Sequence, residues 1–182
     1  WRRQRGYHPQ DTGQGWASLP VVAETWDGRL NDIHGHHIRA QHVFAALDQA
    51  HAGRVEEGNV GGGTGMVCHG FKGGIGTASR LLPGGDTLGV LVQANYGRRE
   101  DLQITGVPVG PWIRGYEMSI QQLSTYQGNS IIVVIATDAP LLPHQLKRVA
   151  QRASLGIGRT GGYGAHSSGD LFLAFSTARD NR

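Results

Sequence analysis

The 182-residue chain holds a single cysteine, Cys68, so no disulfide can close within it, and a reducing, cytoplasmic home is the expectation. Prolines number only 7 and no Gly-X-Y period is present, which excludes a collagen-like chain. Long hydrophobic runs are missing: nothing approaches the roughly 18 apolar residues of a membrane span, and no secretory signal pattern is visible, so a membrane is not an expected partner. Charge is sparse too, at 17% of residues against roughly 25% in ordinary soluble domains, with a net of +3. The basic residues concentrate only at Arg2, Arg3 and Arg5 and at Arg98 and Arg99. A nucleic-acid surface needs a wider basic stripe with interleaved aromatics, so these are read as solvated loop charges. The first residue is Trp1 rather than Met, and a trimmed, processed or fragmentary amino end is expected.

What the chain has in excess is glycine, 29 of 182 residues, more than double the roughly 7% of average usage. Hydrophobic residues make up 38%, enough for a folded core, and the length fits one domain over residues 1–182. Ala40, Val43, Phe44, Leu47 and Ala50 fall on one helical face and predict a helix from Ala40 to His51, ended by Gly53. A second helix is predicted from Pro143 to Ser154. Pro143 suits its first turn, Leu146, Val149, Ala150 and Ala153 form its stripe, Lys147, Arg148 and Arg152 complement its dipole, and Gly156 lies beyond its end. Strand-like runs cover Gly65 to Phe71, Thr87 to Gln93, Ser130 to Thr137 and Asp170 to Ser176. The continuous apolar run from Ile131 to Ala136 predicts a central strand covered on both faces, hence a layered α+β domain. The stretch from Tyr96 to Gly128, with Pro108 and Pro111, is expected to be the most flexible loop.

Several motifs invite chemical readings. The segment from Asn59 to Gly76 is rich in consecutive glycines, whose backbone N–H groups can hold an anion. A phosphate loop is excluded, because Lys72 is followed by Gly rather than Ser or Thr. The sequence Gly156-Ile157-Gly158-Arg159-Thr160-Gly161 has the GxGxxG form but follows a helix, where a dinucleotide fingerprint must follow a strand; a helix stop and a turn-rich link are expected instead. His34, His36, His37 and His42 lack an HExxH pattern and ligand-spaced companions, so no metal is expected. Cys68, in an apolar run, reads as a buried, inert thiol. Ser130, after Gly128 and Asn129, is either a turn residue or a nucleophile held at the rim of a covered sheet, with Ser168 and Asp170 as hydrogen-bonding partners.

Taken together, Asn59 to Arg80, Gly89 to Gly97, Gly106 to Gly110 and Ser130 to Pro143 strongly resemble the self-processing serine aminopeptidases of the DmpA type, the L-aminopeptidase/D-esterase and β-aminopeptidase family. The resemblance runs through nearly the whole chain. It implies a four-layer αββα sandwich similar to the N-terminal-nucleophile hydrolases, of which this chain would be a central portion. It also implies self-cleavage between Asn129 and Ser130, which exposes Ser130 as nucleophile with its own α-amino group as general base.

By the same resemblance Ser168 and Asp170 match the second serine and the acidic residue that orient the nucleophile, and Asn95 matches an oxyanion-hole asparagine. Trp26 stands where members often carry Tyr; its indole can donate but cannot accept or ionise as a phenol does. Glu24, in the matching segment Glu24-Thr25-Trp26-Asp27-Gly28, is the expected holder of a substrate ammonium group. The implied substrate is a small peptide, amide or ester with a free amino group, the implied assembly is a homo-oligomer of processed pairs, and no cofactor is implied. Alternatives are ornithine acetyltransferase-like acyl transfer, which uses a threonine nucleophile, and a non-catalytic binding module of the same fold.

Overall fold

Six apolar residues in a row leave a strand no polar side to turn to water, and the run from Ile131 to Ala136 accordingly lies inside a sheet. The computed structural model describes residues 20–113, 130–166 and 169–178. Its strands are β1 (Val67–Cys68), β2 (Phe71–Lys72), β3 (Gly74–Leu81), β4 (Thr87–Asn95), β5 (Gln103–Ile104), β6 (Val107–Pro108), β7 (Ser130–Thr137) and β8 (Asp170–Ser176), and its α-helices are α1 (Ala40–Asp48), α2 (Pro143–Gln151) and α3 (Ala153–Arg159). The chain divides into two units. One comprises Trp1–Ala23 and Ile33–Arg54; the other comprises Glu24–Asp32 and Val55–Arg182.

In the larger unit four strands form a sheet in the order β3-β4-β7-β8. β7 runs antiparallel to β4 and parallel to β8, and the crossover between the two parallel strands contains α2 and α3. Alternation along β7 sends Ile131, Val133 and Ile135 to one face, where they meet Val90 and Val92 of β4, Phe172 of β8, and Val149, Ala153 and Ile157 of the helices. Between this face and the helices lies an apolar cavity of about 410 Å³. Ile132 and Val134, on the other face, are half-buried. Among the described residues, the helix packing of the core falls on the Val133 face.

Two expectations about this unit are corrected. Helical structure continues past Ser154 as α3, so Gly156 and Gly158 are helical and the GxGxxG run is not a turn-rich link. Each glycine costs roughly 1 kcal/mol against alanine, but Val149, Ala153 and Ile157 at i, i+4 and i+8 keep a stripe on the core that offsets it. The predicted strand from Gly65 to Phe71 is two short strands, β1 and β2, turned at His69 and Gly70, both at positive φ (49° and 70°). β3 went unrecognised, since Gly74-Ile75-Gly76-Thr77-Ala78-Ser79 has little apolar alternation; its pairing with β4 from Thr87 to Ala94 makes it a strand. Part of the expected flexible loop is a hairpin, β5 to β6, turned at Thr105 and Gly106, both at positive φ. Residues 114–129 of that stretch lie outside the described residues.

In the smaller unit α1 occupies the first predicted helix and ends at Asp48, three residues short of His51. The Arg39 N–H at its start donates to His42 Nδ1 at 2.9 Å, so His42 serves as a helix-end acceptor.

The glycine-rich segment enters the larger unit by close approach. A Cβ on Gly73 would fall on the Ala94 carbonyl oxygen and within 3.1 Å of Met66 Cβ, and the Gly73 N–H donates to Met66 O at 2.7 Å. This contact seats the β1–β2 hairpin on the end of β4. Gly73→Ala is therefore expected to lower stability by about 1–3 kcal/mol in denaturant unfolding, the usual cost of overpacking. Gly76→Ala, where a Cβ meets nothing within 4 Å, should change it by less than about 0.5 kcal/mol or raise it slightly.

Candidate active site

Ser130 is the first residue of β7 and Asn95 the last of β4, and the antiparallel register sets them directly opposite each other. Cross-strand partners share a face, so the two side chains meet. Asn95 Nδ2 donates to Ser130 Oγ at 2.8 Å and to the Trp26 carbonyl at 2.7 Å. Its Oδ1 accepts the Val67 N–H at 2.8 Å. With an acceptor end held by a donor and a donor end held by two acceptors, the amide has only one orientation that satisfies its neighbours. The Trp26 N–H also donates to Ser130 Oγ, at 3.2 Å. Ser130 is 0% and Asn95 1% exposed.

Two donors aimed at one hydroxyl oxygen favour negative charge on it, as nucleophilic attack requires. Burial strengthens them, because water does not compete.

The structure thus brings together Ser130, Asn95 and Trp26, but Trp26 contributes its main chain. Its N–H and carbonyl make the contacts to Ser130 and Asn95, while the residue is 40% exposed and its indole lies against Gly28. These two main-chain contacts do not depend on whether Trp or Tyr stands there.

Asp170 begins β8 and pairs with Ile131, so by alternation it belongs to the Ile131 and Val133 face rather than that of Ser130. Asp170 makes no hydrogen bond to Ser130 in this structure, and desolvation raises its carboxyl above the ordinary range. Glu24, two residues before Trp26, is exposed. Ser168 and Asn129 lie outside the described residues.

Sequence reasoning missed Val67, whose N–H orients Asn95. A main-chain donor leaves no residue-type signal, so only the seating of the hairpin on β4 reveals it. Cys68 follows as an inert thiol: burial pushes it up to about 11, partly opposed by a hydrogen bond to the Tyr96 backbone. His34, His36, His37 and His42 are exposed, and among the described residues no three His, Cys, Asp or Glu side chains gather as a metal site.

The family model described as peptidase family S58 matches residues 1–182. The chain belongs to this family. It is 54% identical over 171 residues to the beta-peptidyl aminopeptidase BapA of Sphingosinicella xenopeptidilytica, covering 88% of this chain and 42% of that protein. Among solved structures, a beta-aminopeptidase of Burkholderia sp. superposes with a TM-score of 0.83 at 53% identity, covering 100% of this chain and 48% of that one. The L-aminopeptidase D-Ala-esterase/amidase of Ochrobactrum anthropi, described as a prototype for the serine aminopeptidases and a variant of the Ntn hydrolase fold, superposes with a TM-score of 0.84 at 54% identity, covering 97% and 47%. The chain therefore spans under half the length of these relatives. The fold is the expected layered α+β arrangement of the N-terminal-nucleophile hydrolases, and the described part of this S58 family member supplies one four-stranded sheet with its helices.

Because a thiol raised to about 11 holds little thiolate at neutral pH, Cys68 should be alkylated by iodoacetamide at pH 8 on the order of 100-fold more slowly than a free cysteine. The rate should rise about tenfold per pH unit between pH 8 and 10, measured by intact mass.

Proposed function

We propose that the complete protein is a serine aminopeptidase, activated by its own cleavage between Asn129 and Ser130, which releases amino-terminal residues from small peptides, amides or esters. The observation that carries this reading is the fully buried Ser130 Oγ at the start of the interior strand, held by Asn95 Nδ2 and the Trp26 N–H. A serine serving only as a turn residue would need neither donor.

In the processing step Ser130 Oγ adds to the carbonyl carbon of Asn129. The C–N bond to Ser130 breaks as that nitrogen takes up the hydroxyl proton, leaving an ester, and water then releases the Asn129 carboxylate and a chain that begins at Ser130. The freed α-amine, with an unperturbed pKa of roughly 8, takes the hydroxyl proton in each later turnover. Substrate acylates Ser130, the leaving amine or alcohol departs, and water hydrolyses the acyl-enzyme. Asn95 donates from Nδ2 to the oxyanion that forms on the attacked carbon, a role supported by its bond to Ser130 Oγ.

Ser168 and Asp170 are proposed to orient the nucleophile after cleavage, and Glu24 to hold the substrate ammonium group from its exposed position. The active form is proposed to be an oligomer of processed pairs, in the cytoplasm, which the single cysteine favours, with the periplasm as the alternative. Ornithine acetyltransferase-like transfer is not favoured, because position 130 is serine rather than threonine and the relatives named above are peptidases. A binding module is not favoured either, for the same comparisons.

The complete protein, incubated after purification, should resolve by mass into two pieces, one beginning at Ser130. Ser130→Ala should stay intact and inactive. In a processed enzyme Asn95→Ala should lose 10²- to 10³-fold in kcat, on the order seen when one oxyanion donor is removed. A wild-type chain that stays whole, or a Ser130→Ala variant of undiminished activity, would sink the mechanism.

A further inference from the structure

Behind Trp26 and Asn95, which donate to Ser130 Oγ, and Val67, which holds Asn95, stands a second set of three, each one or two residues away along the chain. Thr25 precedes Trp26, Met66 precedes Val67, and Gln93 lies two residues before Asn95 on the same face of β4. Gln93 Nε2 donates to Thr25 Oγ1 at 2.6 Å, and the same hydroxyl donates to Met66 Sδ at 2.8 Å. Thr25 is 7% and Met66 2% exposed. A thioether is a weak acceptor, so the Gln93 amide is the stronger partner of this hydroxyl. Gly62 leaves the room in which that amide sits: a Cβ there would land on Gln93 Oε1.

We infer that Thr25 and Gln93 are positioning residues for the chemistry at Ser130, their hydrogen bond setting the Trp26 peptide at the distance from β4 from which its N–H reaches Ser130 Oγ and its carbonyl reaches Asn95 Nδ2. The inference rests on the aminopeptidase reading and deepens it. The Trp26 N–H bond to Ser130, at 3.2 Å, is already at the long end of the useful range, so a shift of a few tenths of an ångström would forfeit it. Misplacing a reacting group by about 1 Å can cost on the order of 10² in rate. The side chains of Thr25, Met66 and Gln93 make none of the described hydrogen bonds to Ser130 Oγ, so their effect would pass through Trp26 and Asn95.

The test uses the complete protein and follows the rate of Asn129–Ser130 cleavage by mass at a temperature well below unfolding. Thr25→Val keeps the shape and removes the hydroxyl, Gln93→Met removes the donor from the other end, and Thr25→Ser retains the bond. Each of the first two should slow cleavage by about 10- to 100-fold, while Thr25→Ser stays within about threefold of wild type. The double variant should be no slower than the slower single, because both remove one interaction. In whatever processed enzyme accumulates, kcat should fall with KM little changed. Should Thr25→Val fail to fold, Gln93→Met, at a half-buried position, reads the same bond. Wild type that never cleaves overturns the aminopeptidase reading itself. Wild type that cleaves, with Gln93→Met cleaving as fast or Thr25→Ser no better than Thr25→Val, overturns this inference alone.

Discussion

The pairing of Asn95 with Ser130 across β4 and β7 is the constraint on which the rest of the site depends. A slip of one residue would turn one of the two side chains to the other face and break the 2.8 Å bond between them. The register is held by the whole length of the two strands, from Leu88 opposite Thr137 to Asn95 opposite Ser130, and by the packing of Val90, Val92, Val133 and Ile135 against the helices. Apolar burial on one face thus fixes polar geometry at the rim of the other. This is why the serine sits on a strand, where its position is set by many contacts, rather than on a free loop.

The glycines act through the same constraint. Gly73 lets the β1–β2 hairpin lie directly on the end of β4, where any side chain would strike the Ala94 carbonyl. That proximity brings the Val67 N–H to Asn95 Oδ1 and so decides which way the amide faces. A segment that suggests an anion cradle by composition works here as a spacer of minimal thickness between main chains. Gly62 extends this to the second layer, where it admits the Gln93 amide.

Much of the fold was legible where local and tertiary preferences agree. Ser130 to Thr137 and Asp170 to Ser176 are strands with the bounds predicted for them, α1 starts where its stripe begins at Ala40, and α2 starts at the predicted first-turn Pro143. Legibility failed where a partner supplies the preference. β3 is a strand because β4 pairs with it, although its own residues are small and polar. α3 is a helix because Ile157 reaches the sheet, although two glycines argue against it. Among the site residues, Asn95 and Ser130 were named from motif and strand position and do meet. Trp26 was named for its indole, whereas its peptide group makes the contacts, and peptide groups are alike at every position.

The sequence by itself determined the kinds of atom available: a serine at the head of the most apolar strand, an asparagine at the end of another, and glycines dense enough for backbones to touch. Its family membership follows from that linear pattern too. Only the tertiary structure decided which of these atoms face one another. Register, the side of the sheet on which Asp170 falls, and the use of the Trp26 and Val67 main chains all arise from pairing between segments 28 to 104 residues apart. Hydrogen bonds between such distant segments depend on how strands are aligned, and alignment is a property of the packed whole rather than of any stretch of residues.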